Sequence, residues 1–169
     1  MIQNKHDISG DDLMVGTSAE KNFKSIMENN GFIITYASPE ANKCLHIDTI
    51  IKGKLKDVYV DNKACKYRFR VYDWILAEFI GKNNNTGWIY GKQDLISFEL
   101  NNDSVLIVKR KDFASLCEKL IKDVYVDRVE DSLYKKCKRV DGDVYGHIKS
   151  DDIKTNIQYV IISRKNKGE

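Results

Sequence analysis

Asp48 is followed thirteen positions later by Asp61-Asn62-Lys63, two carboxylates and an ammonium at a spacing that a β-hairpin would bring together. Side chains alternate along a strand, so Asp61 and Lys63 share one face with Tyr59 while Val58 and Val60 take the other. A hard divalent cation such as Mg²⁺ or Mn²⁺ seeks oxygen ligands. Asp48, Asp61 and the backbone carbonyl of Asn62 would offer such ligands and leave positions for water and a phosphate oxygen. An ion held there would polarise the phosphate and lower the pKa of an attacking water. Lys63 would orient or deprotonate that water and offset the charge that develops at phosphorus. The chemistry expected is phosphodiester hydrolysis. The plainer reading is that Asp61-Asn62 is a turn dipeptide and Lys63 a solvated neighbour. Against it, Asp48 stands among Ile47, Ile50 and Ile51, where a carboxylate needs a partner.

Other residues could join these three. Glu20 is a candidate third ligand. It also completes the pattern Thr17-Ser18-Ala19-Glu20, in which it would bond back to the Thr17 amide as a helix cap. Glu78 falls inside the apolar run Trp74 to Ile80, an unusual place for a carboxylate, and could sit behind the ligands, paired with Lys63 or Lys92. Trp88 and Tyr90 could stack on bases beside a phosphate contact from Lys92, or belong to the core. Lys66, Arg68 and Arg70 alternate after Lys63, a row able to hold phosphates or to guard a sheet edge. His46 is a lesser candidate for the metal shell.

The elements that must position these residues can be read from apolar period and turn chemistry. Ala19, Phe23, Ile26 and Met27 recur at helical spacing, and Gly31 closes a helix over 17–30. Phe32 to Tyr36 reads as a strand, Ser38-Pro39-Glu40 as a turn or brief helix, and 46–51 with 56–61 as a hairpin around Gly53. Trp74 to Ile80 reads as a central, largely buried strand, followed by strands over 94–100 and 104–108. Asp112 is the expected cap of a helix that buries Phe113, Leu116, Cys117, Leu120 and Ile121. Short strands at 124–126 and 159–162 complete an α/β chain with a central mixed sheet flanked by helices.

A helix carrying Glu20, then Ile47-Asp48, then Asp61-Asn62-Lys63 resembles the PD-(D/E)xK nuclease superfamily, with Ile47 in the place of the proline. Within it, Trp74 to Phe79 leading through a glycine-containing loop to Gly87-Trp88-Ile89-Tyr90-Gly91-Lys92-Gln93-Asp94 is similar to small phage-type endonucleases, although Ile80 stands where relatives carry lysine. The resemblance covers roughly residues 17–122. It implies a restriction-endonuclease-like α-β-β-β-α-β core, Asp48, Asp61 and Lys63 as catalytic residues with Glu20, and Mg²⁺ or Mn²⁺ as cofactor. DNA is the substrate it implies, with RNA an option; an inactive module of the same fold that binds nucleic acid or protein is the alternative.

Composition sets the frame. The 169 residues are 42% hydrophobic and 31% charged, which suits one globular domain. The division expected is a loose arm over 1–16, a nuclease-like core over 17–122 and an extension over 123–169 packed on the same domain. No run approaches the ~18 apolar residues of a membrane span, and the polar start lacks the centre of a signal peptide, so a cytoplasmic location is expected, a host's if the source is viral. Cys44, Cys65, Cys117 and Cys137 form no CxxC pair and read as reduced thiols. A net charge of +3 leaves nucleic-acid binding to local basic clusters. Pairing into a homodimer is an option that would allow both strands of a duplex to be cut.

Overall fold

The computed structural model describes residues 11–64, 73–101 and 103–165. Helix α1 (Asp11–Asn29) is longer than its apolar period suggests, and Thr17 lies inside it rather than at its start. The capping-box explanation of Glu20 is therefore removed. Ala19, Phe23, Ile26 and Met27 form the buried stripe of α1. Strand β1 (Ile34–Tyr36) follows, then α2 (Pro39–Leu45), whose amide of Ala41 donates to the Ser38 side chain, a cap with proline in the first turn.

Strands β2 (Thr49–Ile51) and β3 (Val58–Lys63) make the expected antiparallel hairpin, with Thr49 opposite Val60 and Ile51 opposite Val58. Its loop is tied by Lys52 to Asp57 at 2.7 Å. Strand β4 (Trp74–Gly81) leads through β5 (Asn85–Thr86) and a 3-10 turn at Trp88–Tyr90 to β6 (Leu95–Asn101), which runs parallel to β3. Strand β7 (Ser104–Lys109) returns antiparallel, and α3 (Arg110–Leu120) follows it. Lys109, not Asp112, occupies the cap position, and Asp112 stands in the first turn, where a carboxylate is favoured by the free amides of the helix start.

One central mixed sheet was expected; there are two. The first, in the order β1-β2-β3-β6-β7-β11, is closed by β11 (Tyr159–Ser163). The second, β5-β4-β10-β9-β8, gathers β8 (Lys122–Val126), β9 (Lys135–Lys138) and β10 (Val144–Lys149) around β4. A further helix, α4 (Ser150–Asn156), joins β10 to β11. The connection from β3 to its parallel neighbour β6 contains β4, β5 and the 3-10 turn, and α3 comes only after β7; the expected α-β-β-β-α-β order is interrupted there.

The alternation of buried residues shows how the layers stack. Ile34, Val60, Val105 and Ile107 of the first sheet pack with Phe23, Ile26 and Met27 of α1. Ile96, Phe98, Leu106 and Val108 point to the opposite face, where they meet α3 through Phe113 and Leu116 and the second sheet through Ala77, Phe79, Val144 and Ile148. Asp61 is adjacent to Val60, so it emerges on this second face, between the two sheets.

Candidate active site

His46 ends α2 in the left-handed conformation, φ 56°, and turns the chain from helix into strand within three residues. Asp48 is thereby set immediately before β2 rather than within it. Its amide donates to the Val60 carbonyl and its own carbonyl accepts from the Ala37 amide, both at 2.9 Å, so the backbone carrying it is fixed on two sides. Asn42 Nδ2 donates to Asp48 Oδ1 and the Asn62 amide donates to Asp48 Oδ2, each at 2.6 Å. The Asn62 side chain turns the other way and donates to Thr49 Oγ1 at 2.8 Å.

Asp61 is 2% exposed. Lys63 Nζ lies 2.8 Å from its Oδ1 and 4.5 Å from the centroid of the Trp88 ring. Gln93 Nε2 reaches Asp61 Oδ2 at 3.4 Å, a long contact, and donates to the Trp88 carbonyl at 2.7 Å. The Asp48 and Asp61 carboxyls interact with each other. Burial, and then the charge of Asp61, push Asp48 up to about 7. Burial raises Asp61 as well, while Lys63 pulls it back down. Burial and mutual charge thus bias both carboxyls towards holding a proton, and the Lys63 ammonium works against that at each.

The other carboxylates surround this pair without joining it. Glu20 is raised by burial and by Asp48 and lowered by Lys63, so it lies within the field of the cluster. Glu78, on β4, is raised by burial and lowered by Lys63, and it accepts a hydrogen bond from the Trp88 amide. His46 is lowered by burial and then by Lys63, and it bonds to the Thr86 backbone. Among the described residues no three His, Cys, Asp or Glu side chains stand together closely enough to hold a metal ion, so Glu20 is not grouped with the pair as a third ligand.

The glycines of Gly87 to Asp94 explain how that segment reaches the pair. A Cβ on Gly87 would lie 2.1 Å from the Glu78 carbonyl oxygen, and one on Gly91 would lie 2.2 Å from Gln93 Oε1 and 3.0 Å from the Leu45 oxygen. Their absence lets the loop lie flat on β4 at one end and on the end of α2 at the other, where the Lys92 amide donates to Leu45. Trp88 is buried and stacks on Phe113, with centroids 5.9 Å apart and planes 13° apart. Of the two roles open to Trp88, stacking on a base or packing in the core, its burial favours the core, where it carries Lys63. Tyr90 is 37% exposed and donates to Glu118 at 2.8 Å, and Lys92 is exposed. Lys66, Arg68 and Arg70 lie outside the described residues.

The donor set fits an oxygen-seeking cation. Two carboxylates converge, and the Asn62 amide faces Asp48; a strand residue sends its carbonyl to the same edge as its amide, so the Asn62 carbonyl faces that way too. Sequence reasoning passed over Asn42, Thr49 and Gln93. No local pattern in the sequence ties Asn42, Thr49 or Gln93 to Asp48 or Asp61. No family model, curated protein or solved structure matches the chain.

Proposed function

We propose that the protein is a divalent-metal-dependent nuclease that hydrolyses DNA phosphodiester bonds, built on a restriction-endonuclease-like hairpin. The observation that carries the reading is the convergence of Asp48 and Asp61 at one strand end with Lys63 held on Asp61. Buried carboxylates pressed together are costly unless a proton or a cation lies between them. Mg²⁺ or Mn²⁺ would supply polarisation of the phosphate and a water of lowered pKa. Asp48, Asp61 and the Asn62 carbonyl would hold it, and Asp48 would release its proton as it did so.

Lys63 places positive charge beside the reacting phosphate, where it offsets charge in the transition state. Trp88 keeps the ammonium from folding away, since the ring gives it a second partner beside Asp61. Lys92, exposed on the Gly91-Lys92 turn, is the phosphate contact we assign outside the pair, with Tyr90 next to it. An inactive binding module of the same fold is the alternative. The observation on its side is that Glu20 stands outside the pair.

Labelled single-stranded, duplex and branched DNA, and RNA, incubated with Mg²⁺ or Mn²⁺ and with EDTA, separate the two. Cleavage that needs metal and is lost in Asp61→Ala and Lys63→Ala is the expected result. Binding without cleavage by all three proteins would leave the inactive module.

A further inference from the structure

Gln93 is 2% exposed, and its amide nitrogen is committed to two oxygens, the Trp88 carbonyl at 2.7 Å and Asp61 Oδ2 at 3.4 Å. Two acceptors on one side fix which end of the amide is nitrogen. The other end, Oε1, is buried and accepts no hydrogen bond among the described residues. A buried orphan acceptor costs about 1–3 kcal/mol, and natural proteins keep few of them. Gly91 is the residue that makes room for this oxygen, since any side chain there would meet it.

Besides the contact between the two carboxyls, Asp61 has Lys63 on Oδ1 and Gln93 on Oδ2, and Asp48 has Asn42 and the Asn62 amide. Each ionised carboxylate oxygen can accept twice, so lone pairs remain for a cation once the pair has released its proton. We infer that Gln93 is a positioning residue for the metal site: its amide nitrogen sets the angle at which Asp61 presents a lone pair, and the orphaned Oε1, turned to Gly91, is the uncompensated cost of holding it there. The inference rests on the nuclease reading of this site and adds a residue to it. Partners that orient a ligand in this way are worth about 10–100-fold in metal affinity.

Mn²⁺ binding, measured by calorimetry on the wild type and on Gln93→Met, tests it. Methionine keeps the length of the side chain and removes both donor and acceptor. The expected result is a Kd raised about 10–100-fold, with cleavage recovered when Mn²⁺ is saturating, and no further loss when the substitution is added to Asp61→Asn. An unchanged Kd in Gln93→Met, with the wild type binding normally, overturns the role of Gln93 and leaves the nuclease reading intact. Absence of Mn²⁺ binding by the wild type overturns both. Should the variant not fold, the wild type still decides: the Gln93 side-chain amide resonances must shift when Mg²⁺ is added, and fixed resonances overturn the inference.

Discussion

Two polar clusters, one in each sheet, are built on different principles. In the second sheet, Asp143 is 4% exposed and lies 3.9 Å from Arg139, whose guanidinium also covers the Tyr145 ring at 4.9 Å. Nearby, His147 is fully buried with Nδ1 2.6 Å from Ser132 Oγ, and burial lowers it to about 4, so it stays neutral at ordinary pH. Acid and base meet there, and the histidine carries no charge. At the end of β3, by contrast, Asp48 and Asp61 share Lys63, and Glu20 and Glu78 add to the negative field. The first arrangement sets its acid beside an arginine and keeps its histidine neutral. The second is short of positive charge, which is the electrostatic condition of a site that takes up a cation or a proton.

If that contrast is right, substitutions in the two clusters should act on different observables. The largest effect is expected for Lys63→Ala, a loss of about 10²–10⁴-fold in cleavage rate, well beyond what the accompanying fall in stability from a buried Asp61 without its ammonium would cause. A rate within a few-fold of wild type would remove Lys63 from the chemistry. His147→Ala should do the reverse. Emptying a fully buried ring position and stranding its partner costs about 2–4 kcal/mol of stability, seen in urea titration, while the Mn²⁺ requirement of cleavage stays as it was. A change in metal response there would merge the two clusters into one.

Acidity sharpens the comparison further. Asp48 titrates at about 7 in the folded protein, above the ordinary carboxylate range of the unfolded chain. Between those values the folded state holds a proton that the unfolded state has lost. Stability from this group is therefore full below about pH 4 and declines as pH rises towards 7. Metal-free protein should lose stability over that range, and Asp48→Asn should flatten the decline. Mn²⁺ affinity of the wild type should rise over the same interval, because the ion displaces the proton. The smallest effect is expected for Tyr90→Phe, whose bond to Glu118 is at the surface: less than about 1 kcal/mol, with binding of DNA changed only if the ring edge touches it.

The elements around the pair were legible because their signals are local. Phe23, Ile26 and Met27 mark the buried face of α1, Thr49-Ile50-Ile51 and Val58-Tyr59-Val60 mark the hairpin, and Phe113 with Leu116 marks α3, since each pattern depends only on the period of its own element. The start of α1 was not legible, because Asp11 to Gly16 has no apolar stripe. Nor were β9, β10 and α4. Lys135-Lys136-Cys137-Lys138 looks like a charged loop, and becomes a strand only because β10 on one side and β8 on the other complete its hydrogen bonds.

By itself the sequence determined which residues could do chemistry, Asp48, Asp61 and Lys63, since the alternation of a strand places Asp61 and Lys63 on one face and the hairpin brings Asp48 alongside. Tertiary structure alone decided how those groups are held. Trp88 goes to the core, where it stacks on Phe113 and cradles the lysine; Glu20 adds to the field of the pair without joining it; and Gln93, thirty-two positions from Asp61 along the chain, closes on its carboxylate. Such contacts join segments with no shared period. They arise from the packing of two sheets and a glycine-lined turn, and nothing in the local pattern of either segment encodes the meeting.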